Sequence, residues 1–329
     1  SVTRSASGLV TALEPLLETY QGTWVAHAAG SVGRQMADGR VGIEALPANH
    51  SYRVRYVSLP EDQYRGYYFG FANEGLWPLC HTARVTPVFR RRDYEMYRAA
   101  NTRFAAAVGD EAGGGAPLVL VQDYHFALAP KMVRQQLPEA SIVAFWHIPW
   151  PRLRTFYSCP WAAELLEGLL GSDIVGFQTD DHCRNFLGAV EALLPATVDP
   201  FENTVRYQGR VTSVRAYPVG VDCAHDAVRL APPTASARVS VFRDLELPPD
   251  VRLGVGVDRM DYTKGINEKF LAIEQLLEAH QELVGRFVFA QIAEPSRDCL
   301  AAYRDARQQV IATRDRINAR FAGGGVAPL

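Results

Sequence analysis

The chain has 329 residues, of which 48% are hydrophobic and 21% are charged, and its formal net charge is −2. This composition is typical of a folded globular protein long enough for two domains. A net charge this close to zero argues against nucleic acid or an anionic membrane as the main partner. No apolar stretch approaches the roughly 18 residues that a membrane-spanning helix needs.

The five cysteines are widely scattered and form no C-x-x-C pair. This pattern is typical of reduced thiols in the cytoplasm and argues against a disulfide framework or a zinc site. We therefore expect a cytoplasmic protein with no structural metal.

Strands and helices alternate in the first two thirds of the chain. Apolar residues at helical spacing predict helices over 8–20, 127–137, 161–170 and 181–194. Short apolar runs predict buried strands over 117–121, 141–146, 173–177 and 211–219. This alternation predicts an α/β fold with a parallel sheet flanked by helices.

A second α/β domain is predicted after two proline pairs, at 232–233 and 248–249. A strand (251–257), a helix (266–280), another strand (286–293) and a long helix (304–321) follow them. We place the domains at 1–221 and 222–329. The second is too short for a complete domain of this kind, so we expect it to be truncated. We also expect the first strand of the N-terminal domain to be missing before Ser1.

Polar side chains follow two neighbouring predicted strands at the point where each strand ends. Asp123 follows the strand 117–121, and His147 follows the strand 141–146. Open α/β sheets bind ligands at the carboxyl ends of their strands, so we expect both residues at one edge of the sheet. Carboxylate and imidazole groups suit sugar hydroxyls. The alternatives are a helix N-cap for Asp123 and a buried core imidazole for His147.

Three aromatic residues form another candidate group: Trp24, Tyr68 and Trp77. A loop or short helix between Tyr68 and Trp77 would bring the last two together. Aromatic rings with polar tips suit the face of a sugar. The alternative is that these residues are ordinary core aromatics.

The stretch 257–265 places Arg259, Lys264 and a glycine between a predicted strand and a predicted helix. Backbone N–H groups and the positive helix end bind anions at such a turn, and the cations would pair with them. Lys264 is one of only three lysines among 34 basic residues. Arg297 follows the next predicted strand and adds a third cation. The alternative is a set of solvated surface charges.

Several common site motifs are absent. The sequence has no G-x-x-x-x-G-K-[ST] and no G-x-G-x-x-G after a strand, which argues against P-loop NTPases and dinucleotide dehydrogenases. It also lacks D-x-D, the usual cue for a metal-bound sugar nucleotide, and G-x-S-x-G. We expect no cofactor and no metal.

Nine short motifs, in order along the chain, resemble the trehalose-6-phosphate synthases of glycosyltransferase family 20. They lie at 22–25, 76–78, 123–125, 147–149, 176–179, 217–221, 257–265, 291–293 and 296–297. The resemblance implies the GT-B fold, in which two Rossmann-like domains face a cleft. It also implies an enzyme that moves glucose, with retention, from a nucleotide diphosphate to glucose 6-phosphate. UDP-glucose is the expected donor, although the motifs do not distinguish UDP from GDP or ADP.

The resemblance also assigns roles to the candidate residues. Arg259 and Lys264 match the pair that binds the donor diphosphate, and His147 matches a residue that contacts the donor hexose. Acceptor-binding positions are matched by the remaining candidates: Trp24, Tyr68, Trp77, Asp123 and Arg297. The catalytic set implied by the resemblance is Asp123, His147, Arg259 and Lys264.

Gln122 departs from the family pattern, which has histidine at this position, and it lies beside the acceptor-site Asp123. This keeps open a related transferase with another acceptor, such as glycerol 3-phosphate (glucosylglycerol-phosphate synthase) or a cyclitol phosphate. A non-catalytic regulator that binds sugar phosphate is a second alternative. The chain also ends before the family's acidic segment for the donor hexose and ribose. The expected partners are therefore a nucleotide sugar and a sugar phosphate, and a homo-oligomer remains open.

Overall fold

The computed structural model describes residues 8–28, 43–45, 52–220, 235–322 and 326–329. Contacts along the chain separate two compact units, Ser1–Pro218 (unit 1) and Val219–Leu329 (unit 2). The predicted domain boundary, between residues 221 and 222, lies outside the described residues, and the domain limits stay a prediction.

The described residues of unit 1 form two sheets. A three-stranded sheet has the order β1-β3-β2, with β1 (Thr23–His27) parallel to β3 (Arg53–Val57) and β2 (Ile43–Ala45) antiparallel to it. A six-stranded sheet has the order β4-β5-β6-β9-β8-β7. Its strands are β4 (Leu118–Gln122), β5 (Ser141–Phe145), β6 (Ile174–Phe177), β7 (Thr197–Asp199), β8 (Thr204–Tyr207) and β9 (Arg210–Ala216).

The strands β4, β5, β6 and β9 are parallel, whereas β7 and β8 pair antiparallel at one edge of the sheet. The predicted α/β fold with a parallel sheet is therefore confirmed. The antiparallel edge was not predicted, and its strands are only three and four residues long.

Eight α-helices lie in the described part of unit 1. They are α1 (Gly8–Tyr20), α2 (Glu61–Tyr64), α3 (Trp77–Cys80), α4 (Arg91–Ala112), α5 (Ala129–Gln136), α6 (Leu153–Phe156), α7 (Ala162–Leu169) and α8 (Asp180–Leu193). A π-helix, Arg65–Leu76, joins α2 to α3. Helix α8 begins where the Thr179 side chain accepts a hydrogen bond from the His182 N–H, as a helix N-cap does.

Fully buried aromatic rings form the core beneath β5, β6 and α8. Trp150 lies at its centre, with ring centroids 4.8 Å from Trp146, 4.6 Å from Phe156 and 5.0 Å from Phe186. Because aromatic side chains remove large apolar areas from water, this cluster fixes the segment that follows β5.

Unit 2 contains a parallel pair of strands, β10 (Arg252–Arg259) and β11 (Phe287–Glu294). Its helices are α9 (Ala235–Asp244), α10 (Ile266–Ala279) and α11 (Ala301–Phe321). Buried residues of α10 and α11 pack together, including Phe270, Leu277 and Ile317. Glu274 of α10 also pairs with Arg316 and Arg320 of α11.

Candidate active site

Asp123 and His147 lie together where β4 and β5 end. The Asp123 N–H donates to the Phe145 carbonyl at 2.7 Å, and Oδ1 of Asp123 accepts from the His147 N–H at 3.0 Å. These two hydrogen bonds join the two strand ends through the backbone and the side chain of one residue, Asp123. The Asp123 side chain makes no capping hydrogen bond to the short helical turn Tyr124–Phe126, so the N-cap alternative does not describe it.

The backbone of Asp123 is strained. Its φ of 69° and ψ of 174° fall in a region that is essentially restricted to glycine. Such a conformation costs about 1–3 kcal/mol and persists only where surrounding contacts impose it. Strain of this kind is concentrated at ligand-binding and catalytic positions, which makes Asp123 the strongest candidate in unit 1.

Two fully buried residues of α4 hold the turn that follows Asp123. The Tyr97 hydroxyl donates to the Tyr124 carbonyl at 2.7 Å and accepts from the Ala127 N–H at 2.9 Å. Asn101 donates to the His125 carbonyl at 3.1 Å. These bonds satisfy backbone groups that a strained turn would otherwise leave unpaired.

The imidazole of His147 faces Gln122, the residue that departs from the family pattern. Nε2 of His147 lies 2.8 Å from Oε1 of Gln122. With the amide oxygen as acceptor, Nε2 carries the proton and Nδ1 keeps its lone pair. Burial lowers the pKa of His147 below its ordinary value because it disfavours the charged form. The ring is therefore neutral near pH 7 and suits a hydrogen bond to a sugar hydroxyl.

Tyr68 and Trp77 are brought to the same region by the π-helix. The Tyr68 ring stacks on His125, with centroids 5.4 Å apart, and Trp77 lies 5.8 Å from Tyr124. Buried Asn73 connects Tyr68 to Tyr124, since it donates to the Tyr68 carbonyl at 2.7 Å and accepts from the Tyr124 hydroxyl at 2.8 Å. π-Helical segments are often found at functional sites.

Trp24 lies in the other sheet of unit 1. It lies half-buried in β1 of the three-stranded sheet, opposite Val54. Among the described residues, no ring contact or hydrogen bond joins it to Asp123. Its place in an acceptor site stays a prediction.

The predicted cations of unit 2 surround the turn after β10. Arg259 ends the strand, and Lys264 ends a short helical turn, Tyr262–Lys264. Gly265 then precedes α10 with φ of 63°. Glycine suits this position, because an L-residue with a Cβ rarely adopts that backbone conformation. Lys264 is exposed, whereas the Arg297 side chain is almost fully buried.

Sequence reasoning missed a buried carboxylate, Asp261, that faces both Arg259 and Arg297. Oδ2 of Asp261 lies 3.8 Å from Nη2 of Arg259 and 3.7 Å from Nη1 of Arg297. Its position inside the stretch 257–265 was a signal, but nothing local indicated a contact with Arg297.

A second carboxylate, Asp258, lies close by on β10. It accepts from Nζ of Lys269 at 2.5 Å and from the Gln291 amide at 3.1 Å. The hydrogen bond from Lys269 is the main cause that lowers the pKa of Asp258, and Lys264 adds to it. Asp258 therefore stays ionised and makes the turn less positive than its cations alone would.

A cavity of about 510 Å³ opens in unit 1 near the carboxyl ends of β5 and β6. Its walls come from 80–82, 149–152, Thr155 and the first turns of α8. None of the predicted site residues lines it, although the segment 149–152 follows His147 directly.

Two negative observations apply to the described part of the chain. No group of three or more histidine, cysteine, aspartate or glutamate side chains is placed to hold a metal ion. None of the helices there is both long enough and apolar enough to cross a membrane.

Comparison with protein families gives a match to the model of glycosyltransferase family 20 over residues 1–329. A trehalose-6-phosphate synthase of Mycobacterium sp. (strain KMS) is 36% identical over 332 residues. That alignment covers 99% of this chain and 66% of the relative, so the chain spans just under two thirds of the relative's length.

Two solved structures are similar. The trehalose-6-phosphate protein from E. coli bound with UDP-2-fluoro glucose superposes with a TM-score of 0.87 at 26% identity, covering 100% of this chain and 71% of that one. An α,α-trehalose-phosphate synthase (UDP-forming) from Burkholderia xenovorans, in complex with glucose 6-phosphate, has a TM-score of 0.83 at 28% identity. The superposition covers 98% of this chain and 70% of the Burkholderia xenovorans chain.

Proposed function

This chain belongs to glycosyltransferase family 20, and from that premise we propose that it transfers glucose from UDP-glucose to glucose 6-phosphate. The product is α,α-trehalose 6-phosphate, formed with retention at the transferred glucose. Support comes from the relatives, which are trehalose-6-phosphate synthases, one of them solved with a UDP-sugar analogue and another with glucose 6-phosphate.

The observation that carries the proposal is the cationic turn after β10. In our proposal Arg259 and Lys264 bind the donor diphosphate. Negative charge develops on this leaving group as the glycosidic bond breaks, and prepositioned cations stabilise it more than they stabilise the ground state. Exposed Lys264 ends the short helical turn, which Asp261 caps at its start and Gly265 follows.

Unit 1 is proposed to supply the sugar contacts. The neutral imidazole of His147 contacts the donor hexose, and Asp123 binds hydroxyls of the acceptor. Trp77 and Trp24 would line the acceptor, and Tyr68 and Arg297 would bind its phosphate. The strained backbone of Asp123 and its bond to His147 support a shared role for these two residues.

Retention does not require a carboxylate nucleophile in this proposal. Retaining hydrolases use two carboxyl groups about 5–5.5 Å apart. We propose instead that the acceptor hydroxyl attacks on the same face that the diphosphate leaves, and that the departing phosphate oxygen takes the hydroxyl proton. The bond to UDP breaks as the bond to the acceptor oxygen forms, so no covalent enzyme intermediate is needed.

A related transferase with another phosphorylated acceptor is the second candidate. Gln122 favours it, because this non-histidine side chain contacts His147 directly. A different hydrogen-bonding group beside the sugar-binding residues would change which acceptor is preferred.

An acceptor assay on the full-length protein separates these functions. It would use UDP-glucose with glucose 6-phosphate, glycerol 3-phosphate or a cyclitol phosphate, and would quantify UDP release and the phosphorylated product. We expect turnover with glucose 6-phosphate. Turnover with another acceptor alone would support the second candidate, and sugar-phosphate binding without any transfer would indicate a regulator.

A further inference from the structure

Asp261 is a buried carboxylate in the same turn as the two predicted donor-binding cations. Its side chain has 0% exposure. Oδ1 accepts from the Thr263 N–H at 3.0 Å and from the Thr263 hydroxyl at 2.9 Å. These two bonds fix the orientation of the carboxylate, so that Oδ2 points in a defined direction.

Oδ2 of Asp261 faces two guanidinium groups that come from different strand ends. Arg259 ends β10, and Arg297 follows β11; their Nη atoms lie 3.8 and 3.7 Å from Oδ2. Both separations are longer than the 2.7–2.9 Å typical of a charge-assisted hydrogen bond. One carboxylate thus faces guanidinium groups from two strand ends.

Tyr303 of α11 adds a second connection, which reaches Arg297 and, at a longer distance, Asp261. Nη1 of Arg297 donates to the Tyr303 hydroxyl at 2.6 Å, and that hydroxyl donates to Oδ2 of Asp261 at 3.4 Å. Burial raises the pKa of Tyr303 to about 12. The hydroxyl therefore keeps its proton and can accept from Arg297 while it donates to Asp261.

We propose that Asp261 is a positioning residue that holds Arg259 and Arg297 in one arrangement. The inference rests on the proposed function, in which Arg259 binds the donor diphosphate and Arg297 binds the acceptor phosphate. Both substrates are then bound by guanidinium groups that share one carboxylate. Losing Asp261 should impair both substrates, whereas losing the Tyr303 hydroxyl should impair the acceptor alone.

Three variants of the full-length protein test this pattern. Asp261→Asn either keeps its one oxygen for Thr263 and turns an NH₂ group towards the arginines, or turns its neutral oxygen to them and loses the bonds from Thr263. Tyr303→Phe removes the short hydrogen bond to Arg297 and the longer one to Asp261, but it leaves the two bonds from Thr263 that orient Asp261. Glu274→Gln is the matched control, because Glu274 is also a buried carboxylate that pairs with two arginines, but within the packing of α10 on α11.

Steady-state kinetics with each substrate varied should give a different result for each variant. We expect Asp261→Asn to raise the KM of donor and acceptor by on the order of tenfold or more, since small misplacements of binding groups are costly. Tyr303→Phe should raise the acceptor KM and leave the donor KM unchanged. Glu274→Gln should change neither KM, even if it lowers the temperature of unfolding.

Titration with inorganic pyrophosphate tests the arginines without any turnover. We expect Asp261→Asn to bind pyrophosphate about tenfold more weakly than the unsubstituted protein. Equal or tighter binding would overturn the proposal, because it would mean that Asp261 only balances charge. If Asp261→Asn does not fold, a uniform effect of Tyr303→Phe on both substrates overturns it instead. Absence of glucose transfer by the unsubstituted protein refutes the proposed function, while the pyrophosphate result still decides the role of Asp261.

Discussion

Asp123 combines a carboxylate at a strand end with a backbone conformation that favours glycine. Its N–H and its side chain are both bonded to the segment that ends β5. The strained conformation directs the side chain across to His147, whereas a relaxed backbone would direct it elsewhere. The cost of the conformation is therefore tied to the position of the carboxylate.

We predict that Asp123→Gly is more stable than Asp123→Ala. Both variants lose the bond to the His147 N–H, but only alanine keeps the strain of a Cβ in this region. Relief of about 1–3 kcal/mol exceeds the roughly 0.5–1 kcal/mol by which glycine favours the unfolded chain. Urea unfolding followed by fluorescence measures the difference. An alanine variant of equal or greater stability would mean that Asp123 is not strained.

Lys264 offers a second test at the residue scale. Removing a cation from a developing charge should cost about 2–4 kcal/mol of transition-state stabilisation, which is about 30- to 900-fold in kcat/KM. The assay would use Lys264→Ala in the full-length protein. Lys131→Ala is the control, since Lys131 pairs with Glu167 in unit 1. Unchanged turnover in Lys264→Ala would remove this residue from the mechanism.

At the scale of elements, the close approach of α7 to the start of α5 depends on a glycine. A Cβ added at Gly168 would overlap the Ala127 carbonyl oxygen and lie 2.8 Å from the Leu128 Cα. Gly188 in α8 is a different case, because nothing lies within 4 Å of its Cβ position. Close packing therefore requires glycine at position 168, whereas position 188 has room for a Cβ.

We predict opposite effects of alanine at these two glycines. Gly168→Ala should destabilise the protein by about 1–3 kcal/mol or more, because backbone atoms must move apart. Gly188→Ala should stabilise it by about 0.5–1 kcal/mol, the helix propensity that glycine forfeits. Chemical unfolding of both variants is the measurement. Similar effects at the two positions would contradict the close packing of α7 on α5.

The elements also differ in how far local sequence predicted them. Helix 266–280 and strand 251–257 were predicted within two residues of the observed Ile266–Ala279 and Arg252–Arg259, because their apolar spacing is regular. The π-helix Arg65–Leu76 was not predicted. It contains three glycines, which disfavour a helix in isolation. Gly70 is nevertheless needed here, because Asp93 of α4 packs where a Cβ at position 70 would be.

At the scale of the whole molecule, ligand binding should stabilise the folded protein. A nucleotide that binds only the folded state adds about 2.7 kcal/mol at a concentration 100 times its Kd. We predict that UDP raises the temperature of unfolding of the full-length protein more than GDP or ADP at equal concentration. Lys264→Ala should reduce the increase, since it would lack the proposed contact with the diphosphate. A larger increase with GDP or ADP would indicate that the donor is GDP-glucose or ADP-glucose and not UDP-glucose.

The sequence by itself determined the α/β alternation and the family, and it placed Asp123, His147 and Arg259 at or just after strand ends and Lys264 in the turn before a helix. These features follow from local patterns: apolar spacing, turn residues and short motifs. Only the tertiary structure decided that Asp123 is strained against His147, that Gln122 contacts the same imidazole, and that Asp261 faces Arg297. Such contacts join residues from different elements, and they arise from how strands and helices pack, which no local pattern encodes.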